Sequence, residues 1–268
     1  MIAAGIGCLL MAGVLAASLV AASPAQAITN GQPDGNRHPN VGLMVVTIPG
    51  FNLKQWCTGT LIAPTYFLTA AHCIVPLQEF GGTIDGVTFD PAYDPSTSTV
   101  IPIQATAVDP AFGHDQGDLH DLAVLTLARA APAAPAVLPT AGLLDQLAAQ
   151  GGLRDQQFTN VGYGAIGIAF GGGFPTPILD PVRRFSISPF MALTTTVLYL
   201  LLNTNATGEG GVCNFDSGSP HFLNTGSGDV LVAVTSEQGD RACAANAFNY
   251  RLDTPSARAF LGQFVTLP

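Results

Sequence analysis

The stretch from Gly210 to Pro220, GGVCNFDSGSP, contains a serine in a setting suited to nucleophilic chemistry. Ser217 follows an aspartate and precedes Gly-Ser-Pro, with Cys213 four residues upstream. A serine hydroxyl becomes a nucleophile when a histidine accepts its proton and a buried carboxylate orients that histidine. Backbone N–H groups must also stabilise the oxyanion that forms. Ser217 is therefore either the nucleophile of an acyl transfer or a turn residue in a glycine-rich loop.

His72 is the candidate to accept the proton of such a serine. It stands directly before Cys73 at the end of the segment CTGTLIAPTYFLTAAHC, which begins at Cys57. An apolar run typical of a strand precedes it, and a disulfide at Cys73 would hold the loop that carries it. Most histidines in proteins have no catalytic role, and this placement distinguishes His72 from the other four.

Short apolar runs rich in β-branched and aromatic residues must position these groups. Glycine, proline, Asn or Asp separates them, a pattern typical of antiparallel strands. The clearest runs are Val41 to Ile48, Thr60 to Ile62, Phe67 to Ala70, Leu122 to Leu127 and Val230 to Val234.

Other segments indicate connections between and after these strands. The Ala/Pro-rich stretch from Ala128 to Gly152 predicts a connection between two halves, with a short helical turn over Leu143 to Ala149. Gly167 to Pro175 has the composition of a mobile loop. The run from Met191 to Leu202 is apolar enough to be a buried strand pair. A C-terminal helix capped by Thr254 is expected through Phe264.

Composition limits the classes of partner. The 268 residues include nine Lys or Arg against eighteen Asp or Glu, a formal net charge of −9. No basic patch is available to neutralise phosphates, so nucleic acid is excluded as a partner. The length is sufficient for one large β-domain or two modest ones.

Residues 1–27 have the pattern of a secretory signal peptide. They carry no charged residue and end in Ala25-Gln26-Ala27, which fits cleavage after Ala27. A transmembrane anchor is the alternative, because the apolar run approaches the length that spans a bilayer. The small-residue ending followed by polar Thr29 favours cleavage. We therefore expect a secreted, extracellular protein with no membrane association after the cut.

Four cysteines follow the predicted cleavage site, and an even number in an exported chain predicts two disulfides. Three pairings are possible, and the pairs Cys57–Cys73 and Cys213–Cys243 close the shortest loops. A zinc site is the alternative, but the chain has no Cys-x-x-Cys pair and its histidines are scattered. Disulfides are favoured, and no metal or other cofactor is expected.

Several motifs resemble those of the trypsin/chymotrypsin family of serine proteases. Thr69 to Cys73 is similar to the family's TAAHC signature, with a cysteine sixteen residues before it. Asp121 to Leu125 resembles the Asp-Ile-Ala-Leu-Leu strand, and Cys213 to Pro220 resembles the Cys-x-Gly-Asp-Ser-Gly-Gly-Pro box. Gly162-Tyr163-Gly164 stands where the family has Gly-Trp-Gly. The three main motifs follow the family order and span nearly all of the chain after residue 27.

The resemblance implies a catalytic triad of His72, Asp121 and Ser217. Asp121 would orient the histidine, and Asp118 is the alternative for that role. Asp121 is favoured because the apolar strand begins directly after it, as in the family. The resemblance also implies an all-β fold of two antiparallel six-stranded β-barrels with a short C-terminal helix. The first barrel would supply His72 and Asp121, and the second Ser217.

The resemblance further implies an activation pair. In the family a new N-terminus folds inward, and its ammonium pairs with the aspartate before the nucleophile. The predicted cut after Ala27 would expose Ile28, and Asp216 is the matching acid. Signal cleavage would then release a protein that needs no second activating cut.

Two positions depart from the family pattern. Phe215 replaces the glycine whose N–H is one oxyanion donor; the N–H of Ser217 is the other. A Cβ at a backbone conformation suited to glycine costs roughly 1–2 kcal/mol, so Phe215 puts the direction of its N–H in question. The specificity-pocket position six residues before the nucleophile is Gly211, which implies no preference for Arg or Lys substrates.

We therefore expect a secreted serine endopeptidase that acts on protein or peptide substrates as a monomer. The expected domains are residues 28–145 for the first barrel, and 146–268 for the second barrel and the C-terminal helix. The alternative is a weak or inactive binding protein with a protease fold, because of Phe215. An esterase-like hydrolase using the same serine is a third possibility.

Overall fold

The computed structural model describes residues 28–115 and 117–268. The predicted signal peptide lies outside the described residues. Within them, none of the helices has the length and apolar character needed to cross a membrane. The short strand β1 (Gln32–Pro33) comes first in the described chain, and most of the strands that follow form two barrels.

The first barrel contains seven strand segments. These are β2 (Val41–Thr47), β3 (Gln55–Ala63), β4 (Tyr66–Thr69), β5 (Thr83–Thr88), β6 (Val100–Ile101), β7 (Ile103–Val108) and β8 (Ala123–Leu127). They pair antiparallel in the order β6-β5-β2-β3-β4-β8-β7. Only Pro102 separates β6 from β7, so together they act as one strand that joins the two ends of this order. A six-stranded barrel results, with the short helix α1 (Val75–Glu79) beside it.

The second barrel is closed by direct pairing. Its six strands are β9 (Gln157–Gly162), β12 (Arg184–Leu193), β13 (Val197–Leu201), β14 (Pro220–Asn224), β15 (Asp229–Gln238) and β16 (Asn246–Arg251). They follow the order β12-β13-β16-β15-β14-β9, and β9 pairs back onto β12. Strand β1 adds to the outside of β12. The prediction of two antiparallel six-stranded barrels is thus confirmed.

The connecting elements match the sequence patterns with two differences. Helix α2 (Leu143–Ala149) lies where a helical turn was predicted, and the expected domain boundary between residues 145 and 146 falls inside it. The predicted mobile loop from Gly167 is instead partly a hairpin, because β10 (Ala165–Ala169) pairs with β11 (Thr176–Leu179). The short helix α3 (Thr204–Thr207) precedes the Ser217 segment.

The C-terminal helix α4 (Pro255–Leu261) begins as predicted but ends early. The Thr254 hydroxyl accepts the Ala257 N–H at 3.2 Å, which caps the helix. Helix α4 ends at Leu261, before Gly262, and not at Phe264. Its apolar face packs in a buried cluster that contains side chains of both barrels, including Leu68 and Val234.

A buried arginine also joins the two barrels. Arg183 is fully buried, and its guanidinium pairs with Asp34 at 2.9 Å. It donates to the carbonyls of Val41 and Phe89 in the first half of the chain, each at 3.0 Å, and to the Tyr163 hydroxyl in the second. The two barrels are therefore held together by a buried hydrogen-bonded contact.

Candidate active site

His72 and Asp121 form a two-point contact. His72 follows β4 in a 3-10 turn over Ala71–Cys73, and Asp121 lies just before β8, the strand that pairs with β4. The Nδ1 atom of His72 lies 2.8 Å from one carboxylate oxygen of Asp121, and the His72 backbone N–H donates to the other at 3.0 Å. This contact leaves Nε2 as the free acceptor of the imidazole, because Nδ1 must carry the proton that the carboxylate accepts.

Ser236 provides a further hydrogen bond to the same carboxylate. Its hydroxyl donates to the Asp121 oxygen that faces the imidazole. Burial by itself raises the pKa of Asp121, but the hydrogen bonds and charge of His72, with the Ser236 hydroxyl, outweigh it and hold the pKa below its ordinary value. Asp121 is therefore an anion at neutral pH. No signal in the sequence pointed to this contact, because Ser236 and Asp121 are 115 residues apart in the chain.

Asp118 is directed elsewhere. One of its carboxylate oxygens accepts the Tyr250 hydroxyl at 2.6 Å, and the other lies 3.7 Å from Nε2 of His120. The second ring nitrogen of His120 lies 3.2 Å from Asp109. Of the two carboxylates considered from the sequence, only Asp121 contacts His72.

Ser217 faces His72 across a small pocket. The serine lies in the tight turn before β14, and its carbonyl accepts the Thr58 N–H from the first barrel at 3.0 Å. Ser217 and His72 line one cavity of about 180 Å³ together with Trp56 and Phe215. Among the described residues, no hydrogen bond joins the Ser217 hydroxyl to the imidazole. Such contacts are often long in a protein without substrate.

The two expected oxyanion donors have free N–H groups. The Asn214 carbonyl accepts the Ala165 N–H at 2.7 Å, and the Asp216 carbonyl accepts the Ser219 N–H at 2.8 Å. In a planar trans peptide the N–H points opposite to the C=O, so the Phe215 and Ser217 N–H groups are directed away from Ala165 and Ser219. Within residues 28–115 and 117–268, neither N–H has an acceptor. Both are therefore available to a bound anion.

Phe215 adopts the backbone conformation for which glycine is best suited. Its φ is +73°, in the left-handed region. The penalty for a residue with a Cβ there is roughly 1–2 kcal/mol. The turn thus keeps a glycine-like geometry despite the phenylalanine. The N–H whose direction the sequence put in question points away from Ala165, in a backbone conformation that is strained for phenylalanine.

Asp216 is fully buried beneath this turn. Its two carboxylate oxygens accept the N–H groups of Gly164 at 2.8 Å and Cys213 at 2.9 Å. A Cβ at Gly164 would lie 2.3 Å from the Asp216 carboxylate carbon, so only glycine allows this approach. Burial raises the pKa of Asp216 to about 7, against the lowering effect of the two hydrogen bonds.

The segment that begins at Ile28 is docked on the second barrel. The Ile28 side chain is fully buried. Thr29 and Gly211 exchange two backbone hydrogen bonds of 2.8 and 3.1 Å, and Asn30 donates to the Gly208 carbonyl. In the uncut chain the Ile28 nitrogen is an amide and not an ammonium. Among the described residues, Asp216 has no ion pair.

A second and larger cavity, which we call the cleft, also borders Ser217. It has about 410 Å³ and is lined by Asn214, Phe215, Ser217 and the segment from Ser236 to Arg241. Gly211 does not line it, because Gly211 is buried against Thr29, and the side chain of Leu202 lies where a Cβ of Gly211 would be. The wall of this cavity is thus formed by the β15 end and the loop after it, instead of by the expected specificity position.

An apolar cavity adjoins the His72 side. It has about 250 Å³ and is lined by Ile48, Phe51, Leu53, Trp56 and Phe80, without a polar side chain. Trp56 lines both this cavity and the one beside His72. The Trp56 indole N–H donates to the Cys73 carbonyl at 2.8 Å, which fixes the ring between the two cavities.

Two disulfides hold the loops of the site. Cys57 pairs with Cys73 and anchors the turn that carries His72. Cys213 pairs with Cys243 and joins the Ser217 segment to the loop that lines the cleft. These are the two short-loop pairings considered from the sequence. In the part of the chain that the structure describes, no group of His, Cys, Asp or Glu could hold a metal ion.

Comparisons with known proteins support the family and the fold. The family model described as Trypsin matches residues 30–167. A search of curated proteins finds no significant match. One similar solved structure is that of heparin-binding protein at atomic resolution, which is 18% identical in sequence. The match covers 89% of this chain and 96% of that chain, with a TM-score of 0.64. A second structure of the human heparin-binding protein has 17% identity, covers 88% and 95% of the two chains, and has a TM-score of 0.58.

Proposed function

The chain belongs to the trypsin family, and from this premise we propose that it is a secreted serine endopeptidase. Ser217 is the nucleophile, His72 the general base and Asp121 the carboxylate that orients His72. The observation that carries the proposal is the contact of His72 with Asp121, reinforced by Ser236, opposite a serine with two free N–H groups beside it.

The reaction proceeds through an acyl-enzyme. Ser217 Oγ attacks the carbonyl carbon of the scissile peptide while Nε2 of His72 takes the hydroxyl proton. The oxyanion accepts the N–H groups of Phe215 and Ser217. The C–N bond then breaks as His72 returns the proton to the leaving amine. Water, activated by the same imidazole, hydrolyses the acyl group from Ser217.

The two cavities beside Ser217 take different halves of the substrate. His72 must reach the leaving amine, so the leaving half lies on the side of His72 and Trp56. The acyl half occupies the cleft lined by Ser236 to Arg241. That cleft contains Glu237 and Asp240 as well as Arg241. Three backbone N–H groups already bind Asp240, so its carboxylate is committed to the loop.

A fluorophosphonate probe tests the proposal. We expect labelling of the secreted protein at Ser217, located by peptide mapping, and no labelling of a Ser217→Ala variant. An unlabelled protein whose N-terminus is verified as Ile28 would refute the endopeptidase assignment. Comparing a peptide substrate with a small ester panel then separates a peptidase from an esterase that uses the same serine.

The second candidate is a non-catalytic binding protein with the same fold. It is favoured by the strained Phe215 and by the absence of a Ser217–His72 hydrogen bond among the described residues. The similar solved structures are of a protein named for binding heparin, a polyanion. With a net charge of −9, this chain is unsuited to a polyanion. A binding role would require another kind of partner.

Signal cleavage after Ala27 completes the proposal. The docked Thr29 already places Ile28 in a buried site on the second barrel. Cleavage would turn the Ile28 nitrogen into an ammonium that pairs with Asp216. N-terminal sequencing of the secreted protein checks the cut, and a start at another residue would exclude this route to activation.

A further inference from the structure

A buried histidine outside the proposed triad lies at the centre of a hydrogen-bonded chain. His221 is in β14, four residues after Ser217, and is fully buried. Its Nδ1 lies 2.6 Å from the Asn160 side-chain oxygen, and its Nε2 lies 2.8 Å from the Thr235 hydroxyl. The Thr235 hydroxyl in turn lies 2.8 Å from that of Ser219. Strands β9, β14 and β15 are thus connected through their side chains.

The chain continues on the far side of Asn160. The Asn160 amide nitrogen donates to Ser188 at 2.7 Å and to Ser186 at 3.1 Å. The Ser188 hydroxyl donates to the Gly210 carbonyl at 2.9 Å. Ser186 has no further side-chain hydrogen bond among the described residues, so this branch of the chain ends at its hydroxyl. Ser188 leads on to the backbone against which Thr29 docks.

The Gly210 carbonyl can only accept a hydrogen bond. This fixes which group donates and which accepts in each of the other hydrogen bonds of the chain. Ser188 donates to Gly210 and must accept from the Asn160 nitrogen. The Asn160 oxygen then faces His221, whose Nδ1 carries the proton. Nε2 of His221 is left to accept from Thr235, which accepts from Ser219. All donors point in one direction, from Ser219 to Gly210, and such chains strengthen their own members.

The Ser219 end of the chain is attached to the turn of the nucleophile. Thr235 donates its N–H to the Ser219 carbonyl at 2.9 Å and accepts the Gly218 N–H at 2.8 Å. Ser219 donates its N–H to Asp216. The residue after Thr235 is Ser236, which binds Asp121. The chain therefore reaches both the Ser217 turn and the strand that supports the carboxylate.

We propose that His221 is a positioning residue for the proposed reaction: through Thr235 and Ser219 it holds the Ser217 turn in place and ties it to the Gly210 backbone on which the Ile28 segment docks. This inference rests on the proposed function. Burial lowers the pKa of His221 to about 3, against the raising effect of a hydrogen bond with the Asn249 side chain, so the ring stays neutral. Nε2 then stays the acceptor for the Thr235 hydroxyl.

Two matched pairs of variants test the proposal. His221→Phe fills the space but removes both contacts, whereas His221→Gln retains one donor and one acceptor. Ser188→Ala breaks the chain two side chains away from His221, whereas Ser186→Ala removes only the branch at the same Asn160. Misplacement of a reacting group by about 1 Å can cost about 10²-fold in rate. We expect His221→Phe and Ser188→Ala to lower the labelling rate at Ser217 by about 10–100-fold.

The control variants His221→Gln and Ser186→Ala should label at a rate within about threefold of the parent, because they change the activation barrier only slightly. Amide hydrogen exchange of residues 213–220 gives a second readout that needs no activity. It should rise in His221→Phe and Ser188→Ala but not in Ser186→Ala. Equal effects of Ser188→Ala and Ser186→Ala on both readouts would overturn the positioning role. A labelling rate of His221→Gln no higher than that of His221→Phe would overturn it as well. An unlabelled parent refutes the proposed function instead, while the exchange pattern still decides whether the chain holds the turn.

Discussion

His72 and Asp121 are joined through two hydrogen bonds, one from the imidazole Nδ1 and one from the His72 backbone N–H. The backbone contact fixes the carboxylate relative to the main chain of His72, and the ring contact fixes the tautomer. The Ser236 hydroxyl adds a third contact from the second barrel. The orientation of His72 is therefore set by groups from both halves of the molecule.

Replacing Asp121 by Asn should lower kcat by about 10⁴-fold, because an amide nitrogen facing Nδ1 favours the wrong tautomer. Ser236→Ala removes a single hydrogen bond to a charged group and should lower kcat about tenfold. Steady-state kinetics on a peptide substrate measures both, with Asp118→Asn as the control. A larger loss in Asp118→Asn than in Asp121→Asn would reverse the assignment of the orienting carboxylate.

Substitutions of Phe215 can distinguish the effect of backbone strain from the effect of the bulky side chain. Phe215→Gly and Phe215→Ala both remove the ring, but only glycine relieves the penalty at φ +73°. The free energy of unfolding of Phe215→Gly should exceed that of Phe215→Ala by about 1 kcal/mol, after the greater flexibility of unfolded glycine is included. Urea unfolding measures this difference. Equal stability of the two variants would show that the turn is not strained.

Stability should depend on pH differently before and after the cut that exposes Ile28. The pKa of Asp216 in the uncut chain is raised to about 7 from its ordinary value of 3.8. A raised carboxyl pKa contributes stability that is fully present below the ordinary value and is lost as pH rises through about 7. The uncut chain should therefore unfold more easily at about pH 8 than at about pH 5.

In the chain that begins at Ile28, an ammonium beside Asp216 favours the ionised carboxyl and should remove this loss. Denaturation of the two chains, both as Ser217→Ala to prevent self-cleavage, gives the comparison. Asp216→Asn in the uncut chain is the control and should remove the same pH dependence. Parallel pH profiles of the cut and uncut chains would argue against the Ile28–Asp216 pair.

Arg183 should be essential to the joining of the barrels. Arg183→Met leaves the buried Asp34 with His38 as its only partner among the described residues and should lower the free energy of unfolding by about 3–5 kcal/mol. The exposed Arg129 is a suitable control, because Arg129→Met should change stability by no more than about 0.5 kcal/mol. Thermal and chemical unfolding of both variants measures the difference. Equal small effects would mean that Arg183 is not needed to hold the barrels together.

The apolar cavity beside Trp56 should select the leaving half of the substrate. Peptides with leucine after the scissile bond should have a kcat/KM roughly tenfold higher than those with alanine, because a few buried methylenes account for such a ratio. Phe51→Ser should reduce the ratio, since Phe51 lines the cavity. Phe174→Ser, at an exposed site of the hairpin loop, should leave the ratio unchanged. Equal ratios in the parent and Phe51→Ser would place the leaving half elsewhere.

Local pattern was sufficient for the family, the strand architecture and helix α2. The motifs around His72, Asp121 and Ser217 are contiguous, and alternation of apolar runs with glycine and proline depends only on neighbouring residues. The sequence did not predict that helix α4 ends at Leu261 or that β10 pairs with β11. The local capping and strand-pairing signals at these positions are weak. The roles of the three site residues remain predictions that the proposed labelling experiment tests.

Tertiary structure alone decided which groups meet. Asp121 contacts His72 while Asp118 turns to Tyr250, and the spacing of three residues between the two acids could not distinguish them. The direction of the Phe215 N–H follows from the hydrogen bond that the Asn214 carbonyl accepts from the Ala165 N–H. The chain through His221 joins residues on four strands and two loops that are distant in sequence. The Asp121–His72 contact depends on the pairing of β4 with β8 in the first barrel. The chain through His221 depends on the second barrel, because closure of β9 onto β12 brings Asn160 beside Ser186 and Ser188.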